Sequence, residues 1–129
     1  MTDKYVKLGD LLVYRMSIEI SDLAWEIYEN LDWQDRKIMG DQFVRSNDSC
    51  GANIAEGYSR FHYLDRIKFY YNSRASLSEA KHWSFILFRR QKINKEVFEK
   101  FLSKCEKTNF QLNKFIKTSY QSKDSEVKK

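Results

Sequence analysis

The sequence has no proline, only four glycines and only two cysteines in 129 residues. Without proline, no helix is broken by a ring that lacks an N–H donor. No stretch alternates apolar and polar residues with the two-residue period of a strand, so an extended sheet is excluded. The cysteines, Cys50 and Cys105, stand in separate segments with no CxxC or histidine-rich spacing around them. That pattern reads as two small buried thiols, with a disulfide or a metal site as the less favoured alternative. Long apolar runs are also missing. Nothing approaches the ~18 residues of a membrane span, and the start "MTDKYVKLGD" lacks the charged-then-apolar order of a signal peptide. The expected setting is the cytoplasm, away from membranes.

What is present suits one globular domain: 42 % hydrophobic, 16 % aromatic and 32 % charged residues. The net charge of +5 is unevenly spread. Residues 1–32 carry seven acids against three bases, residues 33–93 six against eleven, and residues 94–129 five against nine. An acidic start followed by a basic remainder can steer a nucleic acid to one side, or let unlike faces of neighbouring subunits meet. A mixed-sign surface that serves solubility alone is the plainer alternative.

Apolar residues recur at helical spacing throughout. Ile20, Leu23, Ala24, Ile27, Tyr28 and Leu31 share a face of a first helix that runs from about Leu8 to Leu31. Asp32 is placed to cap a second helix, which begins near Gln34 and bends at Gly40. A third starts after Ser59 to His62 and reaches about Arg90, and Asn94 caps a fourth. Four helices of roughly 22 to 30 residues with short connections predict an all-α fold, an antiparallel up-down four-helix bundle over residues 1–120. The polar segment 121–129 reads as a flexible tail.

The second helix is the unusual one. Gln42, Ser46, Ser49, Asn53, Glu56 and Arg60 fall three and four apart and form a polar stripe, while Cys50, Gly51, Ala52, Ala55 and Gly57 leave little bulk elsewhere. A glycine inside a helix costs about 1 kcal/mol relative to alanine, so two of them imply close approach of a neighbouring backbone. Gly57 is also a candidate for the C-terminal cap. "GANIAEG" has neither the lysine and hydroxyl of a P-loop nor a GxGxxG triplet.

The string Ala52-Asn53-Ile54-Ala55-Glu56-Gly57 resembles the ANIAEG signature of the small four-helix-bundle proteins encoded in intervening sequences of large-subunit ribosomal RNA genes. Ser73 to Glu79, "SRASLSE", is similar to that family's ARGSLxE segment, and Leu11-Leu12-Val13-Tyr14 to its helix start. The resemblance spans roughly residues 8 to 118 and departs where Gly51 replaces a usual proline and Ala75 a usual glycine. It implies an up-down bundle that assembles as a homo-oligomeric ring, commonly a pentamer. It also implies kinship with the accessory protein of diversity-generating retroelements, which binds nucleic acid and partners a reverse transcriptase. A reverse transcriptase encoded nearby would therefore be an expected partner.

Candidate chemistry is sparse. Glu56 and Glu79 are the carboxylates within the two motifs, and Asn53, Glu56, Gly57, Arg74 and Glu79 read together as a structural set. In that reading Arg74 or Arg45 neutralises the acids across adjacent helices. Glu79 and His82 have the Glu-x-x-His spacing of di-iron bundles, but no second copy exists, so no metal and no cofactor is expected. No nucleophile arrangement is evident either. Bases interleaved with aromatics give the remaining signal. Arg60 and Arg66 flank Phe61, His62 and Tyr63, and Arg89, Arg90, Lys92 and Lys95 follow Phe88. Cations neutralise phosphates and rings stack on bases, so these six are candidate contacts to RNA or DNA. Twenty aromatic residues exceed what a small core needs, which marks Trp25, Trp33 and Trp83 as candidate subunit contacts. The sequence thus predicts a non-catalytic oligomeric protein that binds nucleic acid. The alternative is a protein-interaction scaffold with no nucleic-acid binding.

Overall fold

A computed structural model describes residues 6–121. Four long helices, α1 (Leu12–Glu29), α2 (Asp41–Tyr58), α3 (Tyr63–Arg89) and α4 (Lys95–Gln121), form an all-α bundle. Each packs on its neighbour in the chain in up-down order, and α1 closes the bundle against α4. The α2–α3 contact is the most extensive. Gln121 ends α4, and the remainder of the expected polar tail lies outside the described residues.

The first helix is shorter than its periodicity suggests. Leu8–Asp10 form a separate 3₁₀ turn, and Leu11 adopts extended backbone before α1 begins. At the far end, Asp32 caps as expected, its Oδ1 accepting from the Asp35 N–H at 2.8 Å. Arg36 then reaches back to the open end of α1 and donates to the carbonyls of Tyr28 (3.1 Å) and Glu29 (2.9 Å). A guanidinium there satisfies acceptors that have no partner inside the helix. The bend expected at Gly40 takes the form of a π-helical turn, Arg36–Gly40, which runs straight into α2. A Cβ on Gly40 would lie 3.0 Å from the Tyr28 ring, so the glycine lets the turn press on α1.

The two glycines of α2 do the same on opposite sides. A Cβ on Gly51 would meet Ser17 Oγ of α1 at 2.8 Å. One on Gly57 would meet Phe69 Cβ and Tyr70 Cε1 of α3 at 2.8 Å and the Arg66 carbonyl at 3.0 Å. The cap role expected of Gly57 is not what the chain does. Among the described residues no glycine has positive φ, and Gly57 sits inside α2, whose cap residue is Ser59. The left-handed position falls instead on Gln91 (φ 63°), after α3, where the Lys92 N–H returns to the Leu87 carbonyl at 2.8 Å.

Phe43, Ile54, Tyr70, Leu77, Leu87, Phe101 and Leu112 fill the centre, with the Phe43 and Phe101 rings 5.1 Å apart. Ser46, Ser84 and Thr108 are also buried, and each hydroxyl donates to a carbonyl three or four residues back in its own helix. Ser73 Oγ crosses instead to the Cys50 carbonyl, at 2.7 Å. Cys50 and Cys105 are free, buried thiols, as read from their surroundings.

Candidate nucleic-acid interface

The six cations singled out in the sequence form two groups at opposite ends of α3, roughly 40 Å apart at 1.5 Å per residue. Arg60 pairs with Glu56 at 2.7 Å and lies 4.9 Å above the Phe69 ring, and Arg66 donates to the Phe61 carbonyl at 2.7 Å. Lys92 is held by Asp35 at 3.1 Å, Arg90 rests against Met39 Sδ at 3.6 Å, and Lys95 reaches Glu99 at 4.0 Å. Arg89 is exposed. These groups therefore do not form one continuous site, and three of the six, Arg60, Lys92 and Lys95, are paired with carboxylates.

The motif residues also separate. Glu56 is half exposed and answers Arg60 one turn on, Asn53 Nδ2 donates to the Ser49 carbonyl (2.9 Å) and hydroxyl (3.0 Å), and Glu79 accepts the Trp83 indole N–H at 3.1 Å. The contact to α3 passes through Ser49 Oγ and Ser76 Oγ, 2.9 Å apart. The expected neutralisation of Glu56 by Arg74 or Arg45 is not found among the described residues, where Glu56 pairs with Arg60 and Arg74 bonds Asn113. Glu56→Gln is accordingly expected to move the thermal midpoint by no more than the ~0.5 kcal/mol of an exposed helix pair. A calorimetric loss several times larger would show that Glu56 has a buried role in an assembly.

Arg74 points the other way. Its Nη1 donates to Asn113 Oδ1 of α4 at 2.8 Å, and its guanidinium lies 4.7 Å from the centre of the Tyr71 ring. The Tyr71 and Tyr120 hydroxyls meet at 3.1 Å, and this bond is the main cause that raises the Tyr120 phenol above its ordinary pKa. With Lys117 on the rim and Ile116 as floor, these side chains line an open groove of about 630 Å³ between α3 and α4, and among the described residues no carboxylate lines it. Among the described residues no acid lies within ion-pair distance of Arg74, Lys114 or Lys117. The groove escaped the sequence reading because its halves lie 39 to 49 residues apart. The one local signal was the run from Lys107 to Gln121, which has bases and no acid.

On the outer side of α1 and α2 the surface differs. Trp25 stacks on Tyr28 and stays half exposed beside Asp41, Val44, Arg45 and Asp48, and Trp33 is largely exposed. Trp83, the third tryptophan considered for contacts, is partly buried against the core. No helix among the described residues is long and apolar enough to cross a membrane.

Comparison with known proteins agrees with this architecture. A family model described as 23S rRNA-intervening sequence protein matches residues 9–114. A crystal structure from Bacteroides thetaiotaomicron, of a protein with unknown function from the S23 ribosomal protein family, is similar at 27 % identity and a TM-score of 0.77. It covers 81 % of this chain and 98 % of its own. No curated protein gives a significant match.

Proposed function

Because the chain belongs to the 23S rRNA-intervening sequence protein family, we propose that it is a non-catalytic, nucleic-acid-binding protein of the cytoplasm that works as a ring of identical subunits, a pentamer. The observation that supports binding is the separation of charge across the bundle. α1 carries four acids and one base and α2 three and one, whereas α3 carries five bases and two acids and α4 six and three. Chain order thus becomes a spatial dipole, with α3 and α4 forming the side that attracts phosphates. The half-exposed Trp25 and largely exposed Trp33 beside the acidic helices support a subunit contact, since large apolar groups gather at interfaces. Glu56 and Glu79, engaged with Arg60 and Trp83, give no support to acid–base catalysis.

Fluorescence anisotropy with structured RNA, single-stranded DNA and duplex DNA across a salt series tests the binding. Affinity is expected to fall steeply, with a log–log slope of roughly 0.7–0.9 per phosphate contact. Reversing Lys114 and Lys117 to glutamate is expected to weaken binding more than reversing Arg89 and Arg90, whose neighbour Lys92 is neutralised by Asp35. Deleting residues 122–129 is expected to change little, because Asp124 and Glu126 dilute the charge of Lys128 and Lys129. Light scattering that finds a monomer at micromolar concentration overturns the ring. A stable ring that binds no nucleic acid favours the scaffold reading, which the exposed tryptophans also support.

A further inference from the structure

We propose that the groove between α3 and α4 holds a single-stranded stretch of nucleic acid, with unpaired bases packed on Tyr71 and Tyr120 and phosphates held by Arg74 and Lys117. The proposal rests on the nucleic-acid reading above and narrows it to one surface and one form of ligand. Cations alone would serve duplex and single strand alike. The tyrosines make the difference, since the two residues are 37 % and 40 % exposed in a groove that no carboxylate among the described residues lines. A duplex hides its base faces in the stack and offers only edges, whereas an unpaired base gains by lying on an aromatic ring.

The groove is also organised in advance of any ligand. Each tyrosine is fixed by the other's hydroxyl, so neither ring loses much freedom when a base arrives. Arg74 is aimed by the Asn113 amide and the Tyr71 face. Both partners are neutral, so the guanidinium keeps its full charge and most of its five N–H donors for phosphate oxygens. Lys117 is exposed on the rim. Lys68 lies one turn before Tyr71, and Lys114, 5.6 Å from the Phe110 ring centre, lies one turn before Lys117. Along α3 the order is cation, ring, cation (Lys68, Tyr71, Arg74), and the groove is shallow and open, which suits a strand passing through better than an enclosed small molecule.

The test is anisotropy at fixed salt with labelled 12-mers of oligouridylate, oligothymidylate and an abasic strand, and a duplex of equal length. Wild-type protein is expected to bind the abasic strand and the duplex at least about tenfold more weakly than the base-bearing strands. The two base-bearing strands separate RNA from DNA as the natural ligand. Tyr71→Ala with Tyr120→Ala is expected to lose about tenfold on oligouridylate and little on the abasic strand, while Tyr71→Phe with Tyr120→Phe, which keeps both rings but not the bond that fixes them, loses clearly less than the alanine pair. Lys117→Glu, at an exposed position where folding is not at stake, is expected to lose about tenfold on every strand. Equal affinity for abasic and base-bearing strands overturns the groove but leaves nucleic-acid binding standing, as does wild-type affinity in the alanine pair. A change of oligomeric size in the alanine pair makes the groove a subunit seam and likewise overturns it. No binding of any probe by the wild type removes both readings.

Discussion

Gly57→Ala is expected to destabilise the protein by about 2 kcal/mol, even though alanine is the better helix former by about 1 kcal/mol. The added methyl would lie 2.8 Å from Phe69 Cβ and Tyr70 Cε1 and 3.0 Å from the Arg66 carbonyl oxygen. Phe69 Cβ and the Arg66 carbonyl belong to the first turns of α3 and cannot rotate away, and the Tyr70 ring is 1 % exposed and wedged against Phe115. Relief requires α2 and α3 to part along their most extensive contact. Gly51→Ala provides the control. Its methyl would meet one close atom, the buried Ser17 hydroxyl at 2.8 Å, which can turn aside at the cost of its bond to the Tyr14 carbonyl, so the propensity gain offsets much of the crowding. Thermal melts at one protein concentration decide the matter. The expected fall for Gly57→Ala is roughly 5–10 °C, with little change for Gly51→Ala. Equal midpoints for the two variants would mean that the α2–α3 contact is looser than the structure shows.

Alkaline pH is expected to unfold the protein well before its surface charge alone would. Burial raises the Cys105 thiol from 9.0 to about 12, assisted by the neighbouring Cys50. Burial likewise raises Tyr70 from 10.0 to about 12, and Cys50 moves in the same direction. In each case the folded state holds the proton more tightly than the unfolded chain. Each stabilisation is complete below the unfolded value and is lost above it, for Cys105 as pH climbs from about 9 to 12 and for Tyr70 from about 10 to 12. For Cys105 alone the loss is about 1.4 kcal/mol per pH unit over that window. A protein of this size has ordinarily about 5–15 kcal/mol in hand, so urea midpoints should drop sharply between pH 9 and 11. Cys105→Ala removes one of the protons and should flatten the slope, at the expense of some stability at neutral pH. A wild-type midpoint that holds steady from pH 8 to 11 would contradict the burial of these groups.

Much of the fold could be read from residue order because the interactions that specify it are local. Asp32 and Asn94 cap helices by accepting from N–H groups three residues on, and those two contacts depend on nothing distant. The periodicity that announced four helices is likewise a matter of neighbours three and four apart. The polar stripe of α2 was harder to read. Its spacing is correct, yet Ser46 is buried, Ser49 and Asn53 are partly buried beside α3, and Gln42, Glu56 and Arg60 face solvent. Periodicity reports a shared face but not which neighbour covers it, and a serine that bonds its own backbone enters a core at little cost.

The sequence by itself determined that the protein is helical, how many helices it has, where they turn, that two glycines of α2 serve close packing, and that acids precede bases along the chain. Each of these is a property of composition or of residues within one turn of each other. Tertiary structure alone decided that Gly57 meets the backbone of α3 and that Arg74 turns from Glu56 to Asn113. It alone joined Tyr71 and Tyr120 across the groove, 49 positions apart. No local rule couples such distant residues. Their meeting depends on how far α3 and α4 slide against each other, and that register is set by the packing of the whole core at once.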